Sequence, residues 1–185
     1  MTSTDAADRL RALEPGTTPD AALALFDSLP PLDVDDLLGR WTGRGVPTGH
    51  PFDSVLEALG WHGKRMVAPD VVHPLVFRAG HGRFVAITPT PLPVGAGLRL
   101  APVVPRAVAA RAFALVRPLL TTTRPHARLR TVVYRGVASA AMVYDRQPIV
   151  DAFRRVDDDT VLGAMDLRGQ PHPYVFVLRR ERSTA

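Results

Sequence analysis

The sequence predicts a mainly β chain with helices (α+β): an antiparallel barrel, closed or half-closed, with an N-terminal helical cap. Three observations carry this. Five strand-like runs follow one another from residue 127 to residue 180, each ended by a tight turn. Two short helical patterns occupy the first 28 residues. The chain has 185 residues, 46% of them hydrophobic, which is about one domain's length and enough to bury a core. Closure is the expected outcome for such a meander, because an open sheet would leave edges free to pair.

In order, residues 4–14 and 18–28 read as helices with Asp5 and Thr18 as N-caps and Pro15-Gly16 as the break between them. A third short helix begins at Asp33. This 1–36 segment caps or braces a single barrel domain over 37–182. GRWTGRGV, 39–46, alternates as a strand. HPFDSVLEALG, 50–60, reads as a helix with Phe52, Val55, Leu56 and Leu59 on one face. GKRMVA and VHPLVFR are strands, and RAGHGR, 78–83, is a hairpin loop leading into FVAITP. Residues 88–105 form a proline-rich irregular crossing, and 106–120 an alanine-rich helix as far as Arg117-Pro118. After a loop at 121–127 come ARLRTVVYRG, ASAAMVYD, PIVDAFRRV, TVLGAMDL and PYVFVLRR, five strands of a meander.

Composition excludes several chemistries. With no cysteine there are no disulfides, thiolate nucleophiles or cysteine-bound metals. No histidines stand at i, i+4 and there is no HExxH, so no metal is expected. Phosphate loops, dinucleotide glycine motifs and GxSxG elbows are also missing, and no cofactor is expected. The net charge of +5 invites a nucleic-acid partner, but the arginines are scattered among acids. No nucleic acid and no membrane is the expectation. The polar start MTSTDAADRL points to the cytoplasm.

One basic position is unlike the others. Lys64 is the single lysine beside 22 arginines. Lysine can lose its proton when desolvated, which arginine cannot, so Lys64 is a candidate base or amine nucleophile. On a barrel wall alternate residues face the lumen. Ile149, Asp151 and Phe153 then point one way, as do Leu162, Ala164 and Asp166, while Met142 and Tyr144 share a face opposite to Val143 and Asp145. Pairing of Lys64 with Asp151 or Asp145 would make an acid–base couple. His73, within an apolar strand, is a further catalytic candidate, and His50 a helix cap or pocket rim. His62 and His81 are expected at the surface. Trp61, Phe77, Met142, Tyr144, Phe153 and Met165 are the expected pocket lining, with Arg135 or Tyr144 available to steady an oxyanion. The acids Asp157, Asp158 and Asp159 read as a solvated turn.

Gly39-Arg40-Trp41-Thr42-Gly43 matches the motif of the GXWXG family, and TGHPFD…LGWHGKRM…VHPL, 48–75, resembles its continuation. Residues 134–166, YRGVASAAMVYDRQPIVDAFRRVDDDTVLGAMD, resemble the domain of unknown function 4334 that follows it. More distantly, the glycine–any–tryptophan strand is similar to that of the lipocalins. That resemblance implies a lipocalin-like barrel, with Trp41 as its base plug and Arg179 or Arg180 packed over the indole. The haem-binding nitrobindins, another lipocalin-like group, use a histidine late in the barrel. His172 stands nearest that position, although Pro173 departs from the pattern and a turn histidine is the preferred reading.

Three functions fit the sequence. The first is binding of a hydrophobic small molecule in the barrel. The second is a cofactor-independent isomerase, cyclase or lyase working by acid–base catalysis in the same cavity. The third is haem binding through His172 or His73. A homodimer is compatible with each.

Overall fold

The structure, a computed structural model, describes residues 2–80, 82–89 and 105–182. His81 and nearly all of the proline-rich crossing lie outside the described residues. Helix α1 spans Ser3–Leu13 and α2 Pro19–Ser28, followed by a 3-10 turn at Asp35–Leu37. Strands β1 (Gly39–Gly45), β2 (Trp61–Ala68), β3 (Val71–Ala79) and β4 (Arg83–Ala86) come next, with a one-turn helix α3 (Val55–Ala58) between β1 and β2. Helix α4 (Arg106–Leu120) leads into β5 (Ala127–Tyr134), β6 (Val137–Tyr144), β7 (Ile149–Arg155), β8 (Thr160–Leu167) and β9 (Tyr174–Arg180).

Eight antiparallel strands close a ring in the order β1-β9-β8-β7-β6-β5-β3-β2, and β4 extends β3 as a hairpin. The β3–β5 seam is short: Val72 pairs with Ala127, reinforced by His126 N–H to the Val72 carbonyl at 3.0 Å. Side chains then divide by the period-two rule. Tyr174, Phe176 and Leu178 point into the lumen, and Val175 and Val177 point out. The outer face is apolar too because α1 and α2 cover it, packing Leu10, Leu25 and Phe26 against Ala152, Leu162 and Val177. The N-terminal helices therefore brace the wall formed by β7–β9 rather than close an end of the barrel. Leu162 and Ala164 belong to that outer layer and Asp166 is exposed, so this set faces away from the lumen and Met165 faces into it.

One end of the barrel is plugged by Trp41, which is buried and donates its indole N–H to the Leu37 carbonyl at 2.8 Å. Arg180, not Arg179, stacks on it, its guanidinium carbon 4.3 Å from the indole centre. The same guanidinium donates to the carbonyls of Leu38 (2.8 Å) and Asp36 (2.6 Å). Cation–π attraction and two charge-assisted hydrogen bonds thus hold the 3-10 turn across the barrel base. The second glycine of the motif has a steric reason: a Cβ on Gly43 would overlap the Trp61 ring.

Local elements differ from the sequence expectation in three places. Helix α1 is capped by Thr2, whose hydroxyl accepts from Asp5 N–H at 3.3 Å. Helix α4 runs through Pro118 to Leu120, although proline has no N–H to donate to the helical ladder. The 50–60 segment has one helical turn, because Asp53 Oδ2 accepts from the backbone N–H groups of Thr48, Gly49 and His50 at 2.7–2.9 Å. That clasp makes a loop of residues 48–53, and Ser54, at φ +61°, reverses the chain before α3 starts.

Candidate functional site

The 48–60 segment lies over the open end of the barrel. Glu57 Oε1 accepts from Gly45 N–H at 2.6 Å, tying α3 to the end of β1, while the Asp53 clasp fixes the loop before it. Phe52, Val55, Leu56 and Leu59, the apolar face read from the sequence, roof a cavity of about 230 Å³. Trp61, Tyr144, Met165, Tyr174 and Phe176 are among its walls. The aromatic walls support one another: Tyr174 and Phe176 stack with centres 6.1 Å apart, and Trp61 meets Phe176 edge-on at 6.2 Å.

Within this apolar enclosure lie an amine, a carboxylate and a phenol. Lys64 Nζ is 2.8 Å from Asp151 Oδ2, with the two side chains 4% and 1% exposed. Tyr144 Oη is 3.4 Å from both Lys64 Nζ and Asp151 Oδ2, and the Pro74 carbonyl accepts from Lys64 at 3.4 Å. The ring centres of Phe176, Tyr144 and Trp61 stand 5.0, 5.7 and 5.8 Å from the ammonium nitrogen. Among the described residues, Asp151 Oδ1 is buried with no hydrogen-bond partner. Desolvation raises the Asp151 carboxyl above its ordinary range, against the lowering influence of Lys64 and Tyr144. Burial, followed by the Asp151 charge, pushes the Tyr144 phenol well above 10, so it stays neutral and can donate.

Of the residues singled out from sequence, Lys64, Asp151, Trp61, Tyr144 and Met165 meet at this cavity. The rest are elsewhere. Asp145 is on the outer face, 2.9 Å from Arg128 Nε, because strand alternation turns it away from its neighbour Tyr144. Arg135 occupies the β5–β6 turn, where φ is +51°, and makes two 2.7 Å contacts to Asp27 of α2. It cannot reach a ligand in the lumen. His73 is buried but off the cavity wall; burial, then Arg65 and His126, holds its pKa below 6.5. Phe77 packs at a tilt against Phe113 of α4, ring centres 4.9 Å apart, while Met142 and Phe153 fill the interior core without lining the cavity. His62 is buried rather than at the surface, paired with Glu181 and stacked on Phe84 at 4.0 Å. His172 is exposed in the turn before β9, and among the described residues no histidine lines the cavity. His50 packs on Phe52 and Tyr174, each at 5.5 Å, behind the roof.

Four roof residues and the aromatics of β9 were not assigned to the site from sequence. The signal for the aromatics lay in YVFVLRR, where period-two reading puts Tyr174 and Phe176 on one face. For the roof it was the single apolar face at 52–59.

These features define a lipocalin-like barrel, sealed at one end by a tryptophan–arginine plug and roofed at the other. The GXWXG protein family model matches residues 24–82, and the model of the domain of unknown function DUF4334 matches residues 125–180. A crystal structure of a protein from Thermomonospora curvata is similar at 35% identity, covering 96% of this chain and 99% of that one, with a TM-score of 0.71. The chain belongs to the GXWXG family, with DUF4334 as its C-terminal part. No curated protein matches it. The two matched segments are complementary pieces of one barrel: β1–β3 and β5–β9 close the ring only through the β1–β9 and β3–β5 seams. No helix among the described residues is long and apolar enough to cross a membrane.

Proposed function

We propose that this protein binds a compact hydrophobic small molecule carrying one polar group. The observation behind this reading is a cavity of about 230 Å³ with apolar walls and one amine–carboxylate–phenol cluster. That volume equals about eight waters in the liquid, so the enclosed part of the ligand has on the order of ten non-hydrogen atoms. Apolar walls supply affinity by burial, and the cluster fixes orientation and excludes ligands that leave its polar atoms unpaired. Native mass spectrometry of the protein purified from a related host tests it. A defined apolar molecule at one per chain is expected, and an empty barrel that also rejects every small apolar compound offered would overturn the reading.

The second reading is a cofactor-free acid–base enzyme of isomerase, cyclase or lyase type. It is favoured by Asp151 Oδ1, which has no partner among the described residues, and by the raised Asp151 pKa, both of which suit a carboxyl that exchanges protons. Lys64→Arg separates the two readings, since it keeps the charge and removes the labile proton. Retained binding of the extracted molecule with lost turnover selects the enzyme; if no conversion occurs in the wild type, the carrier reading stands.

A further inference from the structure

The charge of the polar cluster has a specific chemical use. The Lys64 ammonium is stabilised by Asp151 at 2.8 Å and by three ring faces within 5.8 Å. Each of these groups would also stabilise an iminium at the same nitrogen, because condensation of an alkylammonium with an aldehyde or ketone conserves the positive charge. An apolar site that has already accommodated one ion pair therefore meets no new charge when the amine becomes a protonated imine.

We propose that the ligand is a compact aldehyde or ketone, held as a reversible protonated imine on Lys64. This rests on the binding reading above and names the ligand's reactive group.

The residues present balance the step. Asp151 Oδ2 takes one proton from the ammonium, leaving a neutral amine and a neutral carboxyl. The Nζ lone pair attacks the carbonyl carbon while the carbonyl π pair moves to oxygen. Tyr144 Oη, 3.4 Å from Nζ, is placed to donate a hydrogen bond to that oxygen. One further proton passes from nitrogen to oxygen, giving a carbinolamine. The C–O bond then breaks as Asp151 returns its proton, water leaves, and the nitrogen lone pair forms the C=N bond. Three ammonium protons become one iminium proton and two in water, and Asp151 is again a carboxylate. Asp151 Oδ1, buried and without a partner among the described residues, is placed to accept a hydrogen bond from the departing water. The roof of Phe52, Val55, Leu56 and Leu59 limits the water needed for hydrolysis.

The sequence makes the test clean, because Lys64 carries the only ε-amine in the chain. Full-length protein is incubated with benzaldehyde, trans-cinnamaldehyde or hexanal and reduced with cyanoborohydride. The matched alcohols serve as probes that cannot condense. Intact mass and peptide mapping locate the adduct, and tryptophan emission, to which Trp61 contributes from the cavity wall, follows alcohol binding. One reduced adduct per chain on Lys64 is expected for at least one aldehyde. It is lost in Lys64→Arg and formed about tenfold to a hundredfold more slowly in Asp151→Asn, which keeps the amine and loses the proton relay. Circular dichroism confirms that each variant is folded, and if Lys64→Arg is not, Asp151→Asn carries the comparison. Saturable alcohol binding with aldehyde found only on the N-terminal amine would overturn the imine and leave the binding reading intact. Trapping at Lys64 that is indifferent to Asp151→Asn would overturn the relay. Failure of every aldehyde and every alcohol to bind would overturn both readings.

Discussion

Lys64 on β2 and Asp151 on β7 are joined at 2.8 Å across the lumen, from strands that stand opposite one another in the ring of eight. Four strand steps separate them in either direction, and 87 positions separate them in sequence. No hairpin or neighbouring-strand register could have brought them together. The pair exists because the barrel closes, and it lies where the roofed cavity meets the packed interior.

A buried pair of this kind is costly to break and cheap to replace. Lys64→Met leaves Asp151 without its cation and is expected to lower stability by about 3–5 kcal/mol. Lys64→Met/Asp151→Leu is expected to recover most of that loss. Urea denaturation measures both. A single variant as stable as the wild type would mean that the pair does not form in solution.

Filling the cavity separates stability from binding. Leu56 lies in the roof and packs against the interior core. Leu56→Trp is expected to weaken binding of a compact apolar ligand at least about tenfold, which is about 1.4 kcal/mol, while the melting temperature holds. Titration calorimetry and thermal denaturation read the two effects. Unchanged affinity would place the ligand elsewhere.

The family motif carries a steric requirement that a substitution can expose. Gly43→Ala puts a methyl group into the Trp61 ring, and overpacking of this kind costs about 1–3 kcal/mol. Trp61→Phe combined with Gly43→Ala should restore part of the loss, because the smaller ring leaves room. Additive losses in the double variant, measured by thermal denaturation, would count against the contact.

Acid should destabilise the fold. Burial lowers the pKa of His50, His73 and His126 below 6.5, so each binds a proton more readily in the unfolded chain. Their contribution is complete above about pH 6.5 and is lost as pH falls through the folded values. Asp151, with its raised pKa, runs the other way: its contribution is present below the ordinary carboxyl range and lost as pH rises through its folded value. Three histidines against one carboxyl predict a melting temperature that falls from pH 7 to about pH 5. The fall should be smaller in His73→Gln. A flat profile in the wild type would show that these rings protonate freely in the folded state.

The sequence alone determined the meander and its turns, because strand alternation and turn chemistry are local properties; the Trp41 plug was implied by resemblance, and the structure chose Arg180 to cover it. It also singled out Lys64, since one lysine among arginines is visible without coordinates. Where it erred, the competing interaction was local but invisible as periodicity: the Asp53 clasp shortened the helix at 50–60. Side-chain partners were the part that only tertiary structure decided. Tyr144 and Asp145 are adjacent, yet one reaches the cavity and the other pairs with Arg128 outside. Arg135 was drawn to Asp27 by the packing of α2 on the outer wall. Between Asp145 and Asp151 as partners for Lys64, composition offered no choice; ring closure did, because only one of the two carboxylates faces across the lumen.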